Sequence, residues 1–159
     1  MQKLSTYLLK LVLLLIGALA LFLAFFLPPR EGRAQDLTLF EIYFDPLIIA
    51  GFVLVGILIF GLLKAFKLLT LISKKKVFTP SAVKQLKNIK LASILSVAII
   101  FLGVVYIGIS HDPSDDPSGF IALSLGISFC GIIIAAAASL FEELLKGAID
   151  IKYENDLTI

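Results

Sequence analysis

Tryptophan is absent from this chain, and cysteine, histidine and methionine occur once each. A lone histidine and a lone cysteine, with no acid inside the apolar runs, cannot make a nucleophile–base dyad or triad. One cysteine also excludes an intrachain disulfide. No glycine-rich phosphate loop is present, because Gly51, Gly56 and Gly61 recur at five-residue spacing inside an apolar run. The chain is therefore expected not to be an enzyme and to need no cofactor. Charge is scarce as well: Asp, Glu, Lys and Arg make up 16% of the residues, against roughly 25% in soluble domains. A soluble fold needs polar residues threaded through every element to cover its surface. Here the solvent is expected to be lipid.

What the chain has is long apolar stretches, with 59% of its 159 residues hydrophobic. Four runs carry no charge: Leu11 to Leu27, Pro46 to Leu63, Leu91 to Ser110 and Pro117 to Phe141. Each has the roughly 17–25 residues that a helix needs to cross the hydrocarbon core. In lipid the backbone must pair within its own segment, so the runs predict helices. The short alternating segments of a β-barrel are missing. The first run could pass for a secretory signal, but it ends Phe25-Phe26-Leu27-Pro28-Pro29 without a small-residue cleavage site. The expected fold is an all-α, four-transmembrane-helix bundle of two hairpins. It forms a single integral membrane domain over 1–159, with helices near 7–27, 46–72, 80–110 and 118–152. The second helix is expected to outlast its uncharged run, because Lys64 and Lys67 can snorkel toward the headgroups.

Lysine and arginine concentrate in short cytoplasmic loops. When the segments are assigned alternately to two sides, every one of the 14 basic residues except Arg30 and Arg33 falls on the side of the termini and central linker. The opposite side holds Glu31, Asp36, Glu41, Asp45 and the aspartates of the His111–Gly119 turn. This predicts a multi-pass protein of the bacterial inner membrane with both termini in the cytoplasm. The apolar stretch Leu37–Phe44 is expected at the outer interface, with Tyr43 as a belt residue.

Two segments on the linker side stand out. In the linker, Thr79-Pro80 has the form of an N-cap and first helical residue. Val83, Leu86 and Ile89 follow at every third position, each trailed by a lysine: Lys84, Lys87 and Lys90. With Lys74, Lys75 and Lys76 they offer a basic surface to anionic lipid of the cytoplasmic leaflet or to an acidic cytoplasmic protein. In the tail, Phe141, Leu144, Leu145, Ala148, Ile149 and Ile151 share one helical face, and Glu142, Glu143, Lys146 and Asp150 share the other. Such an apolar stripe predicts either packing on the Val83/Leu86 face or docking of a partner, with Leu144, Leu145 and Ile151 as candidate contacts.

The linker Val77-Phe-Thr-Pro-Ser-Ala-Val-Lys-Gln-Leu-Lys-Asn-Ile-Lys90 and the tail Ile149-Asp-Ile-Lys-Tyr-Glu-Asn-Asp-Leu-Thr-Ile159 resemble the two signatures of the bacterial domain-of-unknown-function family 2975. The resemblance extends to length, four spans and the placement of both motifs. It implies no defined chemistry. Genes of that family often lie beside one for a small helix-turn-helix regulator of the Cro/CI type. The resemblance therefore implies a membrane protein that restrains or informs such a DNA-binding partner. Direct nucleic-acid binding by this chain is not expected, because its basic run is short, lies against the membrane and lacks a helix-turn-helix.

Of the outer turn, His111, Asp112, Asp115 and Asp116 are candidate ligands for a divalent cation. Their spacing matches no EF-hand loop, and two prolines with a serine account for a solvated turn. The uncharged spans argue against ion-coupled transport, which places ionisable groups inside the membrane. Small residues fill them instead: Gly131, Ala135 and Ser139 form a ladder at i, i+4, i+8, Ser124 pairs with Ser128, and Ala92 with Ser96. Such ladders serve close packing within one bundle or dimerisation with a second copy, and Cys130 is expected to be a packed small residue. The leading functional expectation is a regulatory protein that binds a cytoplasmic partner such as a helix-turn-helix regulator. A small transporter, exporter or immunity factor acting within the bilayer is the alternative, and a structural role in a larger membrane complex is a third.

Overall fold

A computed structural model describes residues 2–30, 38–110 and 116–157. The elements are α1 (Gln2–Phe26), a 3₁₀ turn at Pro28–Arg30, α2 (Leu39–Tyr43), α3 (Pro46–Ser73), α4 (Pro80–Ser110) and α5 (Ser118–Leu157). The described residues include no strand, and α1, α3, α4 and α5 are each long and apolar enough to cross a membrane. The protein is an all-α membrane bundle. α1 begins at Gln2, before the first apolar run, and α5 continues to Leu157.

Local chemistry sets most helix ends. Asp45 caps α3, its Oδ1 accepting from the backbone N–H of Leu47 at 2.8 Å, and Pro46 supplies the preset first turn. Thr38 and Glu41 form a reciprocal capping box on α2, with the Thr38 N–H donating to Glu41 Oε2 at 2.8 Å. Those bonds hold the Glu41 carboxyl below its ordinary range. α3 ends in a Schellman motif: Lys76 N–H reaches the Leu71 carbonyl at 2.9 Å and Lys75 N–H reaches Ile72 at 3.0 Å. Lys75 occupies the left-handed position of that motif, with φ 57°, where glycine is usual. Pro80 starts α4 as the linker sequence predicts, but Thr79 does not cap it through its side chain. The Thr79 carbonyl accepts from Ala82 N–H at 2.9 Å, while its hydroxyl donates back to the Lys76 carbonyl at 3.0 Å. The hydroxyl thus closes the linker turn instead of the helix.

The long helices pack in chain order, α1 on α3, α3 on α4 and α4 on α5. Among the described residues no extensive contact joins α1 to α5 or α3 to α5, so the row stays open on one side. The two hairpins expected from the sequence are therefore continuous with each other through α3 and α4. α1 meets α3 through bulky groups: Gly17 faces Ile59 and Leu62, Phe25 tilts against Phe52 at 5.2 Å, and Lys10 Nζ lies 4.7 Å from the Phe66 ring centroid. α3 meets α4 where Gly61 faces Ala92. The tightest approach is α4 on α5: a Cβ built on Gly131 would come within 2.7 Å of Val97 Cγ2.

The buried side of α5 is a seam of residues spaced alternately by four and three, through Ile121, Ser124, Ser128, Gly131, Ala135, Ala138, Glu142, Leu145 and Ile149. That spacing of 3.5 residues is the left-handed coiled-coil seam, and across the membrane it consists mostly of small residues that let the backbones close. The ladder of Gly131, Ala135 and Ser139 lies along it. Cys130 does not: it is exposed, one residue out of register with Gly131. Tyr43 is also not a free belt residue, because its hydroxyl donates to the Phe25 carbonyl at 3.0 Å and ties α2 to the end of α1.

Candidate interaction surface at the linker end

The ends of α1, α3, α4 and α5 that flank the Lys74–Thr79 linker lie together, as the antiparallel contacts require. Lys90 is the last charge before the uncharged run of α4, and Glu142 is the first after that of α5. In an antiparallel pair these positions come level. Lys90 Nζ donates to Glu142 Oε2 at 3.4 Å and to Ser139 Oγ at 3.3 Å. Lys146, one turn along α5, holds the other oxygen of Glu142 at 2.8 Å. The Glu142 side chain is only 9% exposed, against 34% for Lys90 and 58% for Lys146. One acid thus serves two lysines inside the helix seam.

Nearby, Gln85 is buried on the first turns of α4 beside Ala82 and Leu86. Its Nε2 donates to the Ser81 carbonyl at 3.0 Å, and its Oε1 has no partner among the described residues. The sequence reading missed the polar cluster of Lys90, Ser139 and Glu142, and it missed the buried Gln85. The available signal was the matched position of Lys90 and Glu142 at the borders of two adjacent spans.

The predicted tail stripe needs correction. Glu142, expected on the exposed face, is buried with Ala138 and Ile149, while Phe141, Leu144 and Ile151 are 59%, 66% and 62% exposed. Leu145 is half-buried. The inner face of α5 meets the charge of Lys90, and its bulky apolar residues turn outward. On the first turns of α4 the buried positions are Ala82, Gln85 and Leu86, while Val83 and Ile89 are half-buried.

The candidate contact lysines divide into two groups. Lys74, Lys75, Lys76, Lys84 and Lys87 are exposed, whereas Lys90 is committed to Glu142. The end of α5 is the second exposed feature. Because Lys90 and Glu142 are level, ten residues in each direction bring Pro80 beside Lys152. α5 then projects beyond the start of α4, and Ile151, Lys152, Tyr153 and Glu154 are exposed on every side. The last two residues of the tail motif, Thr158 and Ile159, lie outside the described residues.

Of the candidate cation ligands, His111, Asp112 and Asp115 lie outside the described residues, as do Glu31, Arg33, Asp36 and Leu37 of the first outer loop. Asp116 is described, and it turns onto α5: Oδ1 accepts from Ser118 N–H at 3.0 Å and Oδ2 from Ser118 Oγ at 2.9 Å. These bonds hold its carboxyl below the ordinary range. Near the other end of α3 and α4, an open apolar cleft of about 320 Å³ lies between Pro46, Leu47 and Ala50 on one side and Ile99, Leu102 and Tyr106 on the other.

Residues 31–159 match the family described as "Protein of unknown function (DUF2975)". The chain is also similar to an uncharacterised membrane protein, YoaS, of Bacillus subtilis (strain 168), at 35% identity over 161 residues that cover 100% of both chains. No solved structure matches it.

Proposed function

Because the chain belongs to the DUF2975 family and crosses the membrane with four helices, we propose that it is a regulatory membrane protein whose linker end binds a cytoplasmic protein. The favoured partner is a helix-turn-helix transcription regulator, and the role is binding and signalling without catalysis. The host membrane is the bacterial inner membrane, with the linker and both termini on the cytoplasmic side. The charge distribution supports that orientation.

One observation carries this reading: the exposed lysines of the linker and the projecting end of α5 emerge on the same side. Lys74, Lys75, Lys76, Lys84 and Lys87 present charge, and Leu144 and Ile151 present an exposed apolar edge. Together they supply the two ingredients of a helix-reading protein interface, an apolar anchor and a charged rim. Lys90 and Leu145 belong to the seam and support the surface from beneath.

In-cell cross-linking at native expression, followed by affinity purification and mass spectrometry, tests the proposal. Enrichment of a small helix-turn-helix protein is expected, with loss on changing Lys74, Lys75, Lys76, Lys84 and Lys87 to Glu while membrane insertion persists. Recovery of other membrane proteins alone, or capture unaffected by the charge reversal, would reject the surface.

A further inference from the structure

From residue 46 to residue 110, through α3, the linker and α4, there is no acidic residue, and eight lysines lie within that stretch. Among the described residues only Lys90 of these eight has an acid partner. Four of the others fall at one depth. Gly61 is level with Ala92, so along the antiparallel pair Lys64 lies level with Ile89 and Lys67 with Leu86. Lys84 and Lys87 therefore interleave with them within a band about 8 Å deep.

The four also share a side. On α3, Ile59 and Leu62 point at α1 and Gly61 points at α4, which leaves Phe60, Lys64 and Lys67 on the remaining face. On α4, Ala92 points at α3, and Lys90 with Val97 points at α5, which leaves Lys84, Lys87 and Leu91. With both helices right-handed and antiparallel, the two remaining faces lie together, opposite α1 and α5. Lys67, Lys84 and Lys87 are exposed, and half-buried Lys64 rests with Nζ 4.5 Å from the Phe60 ring centroid.

Deeper in the membrane the same face becomes wholly apolar and stays open. Val53 and Phe60 on α3 are 48% and 42% exposed, and Leu91 and Ile94 on α4 are 52% and 49% exposed. A cationic band directly above an open apolar strip matches one class of molecule, in which a phosphate sits on two acyl chains. A cytoplasmic protein stops at the headgroup layer, whereas these lysines begin where the uncharged runs of α3 and α4 end. We propose that this face of α3–α4 is a binding site for an anionic phospholipid, with Lys64, Lys67, Lys84 and Lys87 on its phosphate and the strip below along its acyl chains. The site lies deeper than Lys74–Lys76, and of its four lysines Lys84 and Lys87 are shared with the protein-binding surface proposed above.

The test uses the full-length chain in nanodiscs of phosphatidylcholine with a minor share of phosphatidylglycerol. Native mass spectrometry after detergent release then counts the retained lipids. The wild type is expected to retain phosphatidylglycerol preferentially. Changing Lys64, Lys67, Lys84 and Lys87 to Gln should weaken that preference by at least about tenfold. Changing Lys74, Lys75 and Lys76 to Gln should leave it nearly intact, and the fourfold Arg variant should retain it. A milder Lys67→Gln/Lys87→Gln variant, expected to lose part of the preference, gives the answer if the fourfold Gln variant fails to fold. The site is overturned by a wild type without preference. Equal losses in the loop and face variants overturn it too, because they would mean diffuse attraction to total charge. A face variant that changes only protein capture would assign these lysines to the protein partner instead.

Discussion

α4–α5 and α1–α3 are both antiparallel membrane pairs, yet they are held in different ways. In α4–α5 the contact runs the length of the seam through small residues, and a buried acid pins the linker end. In α1–α3 the backbones stay farther apart, and the contact relies on large side chains and end clamps: Phe25 on Phe52, Lys10 on Phe66 and the Tyr43 hydroxyl on the Phe25 carbonyl. Lipid removes the hydrophobic drive between helices, so close packing and polar bonds must supply the association. α4–α5 uses both along its length. α1 uses them at its ends and leaves Leu4, Leu8, Leu14 and Leu19 more than half exposed.

The largest break in this contrast comes from bulk at the tight point. Gly131→Leu should destabilise the protein by roughly 3 kcal/mol, because its first carbon already overlaps Val97. Gly17→Leu, which meets only the flexible ends of Ile59 and Leu62 at 3.4 Å, should cost less than about 1 kcal/mol. Reversible unfolding in detergent or bicelles measures both, and equal costs would erase the difference between the pairs. Next comes the pin. Glu142→Ala should cost about 2 kcal/mol by leaving Lys90 without its counter-charge inside the seam. A Lys90→Met/Glu142→Leu double variant should recover most of the loss.

On the other pair, Tyr43→Phe deletes one clamp and should cost about 1 kcal/mol or less. Faster hydrogen exchange confined to the last turn of α1 and to α2 would accompany it, and a global change would mean that α1 is integral to the bundle. The smallest effect has the opposite sign. Lys75→Gly relieves a left-handed lysine and should stabilise the end of α3 by about 0.5–1 kcal/mol. A gain in melting temperature combined with weaker partner capture would show charge retained there at the expense of stability.

The four spans were legible because the length of an uncharged run follows from the bilayer thickness alone. The start of α4 at Pro80 was legible for a similar reason, since proline fits the first helical turn and little else in a helix. The face of α5 was not. Phe141, Leu144 and Ile151 look like a core stripe by the logic of water, but the seam takes Ala138 and Glu142, which leaves Phe141 to the lipid at the border of the span and Leu144 and Ile151 to the exposed edge beyond it. Hydrophobic periodicity finds the side opposite water, and near a membrane that side faces lipid. The order of packing was hidden for another reason. Small-residue ladders reveal that helices meet closely but do not identify the partner, so the open side between α1 and α5 emerges only in three dimensions. The Lys90–Glu142 link was hidden in plain view, because matching two charges requires knowing that their helices are neighbours.

α5 is one uninterrupted helix of 40 residues, about 60 Å long, in a hydrocarbon layer about 30 Å thick. Half of its length therefore stands outside that layer, and geometry makes it a lever. A tilt of 10° within the bilayer sweeps the free end sideways by about 5 Å for each 30 Å of arm. The residues at the tip, Ile151 to Glu154, stand about 14–18 Å beyond Glu142 and would register thinning or thickening of the membrane as a displacement of about 2–3 Å. The fulcrum is the level of Glu142, where the rod is fastened to α4.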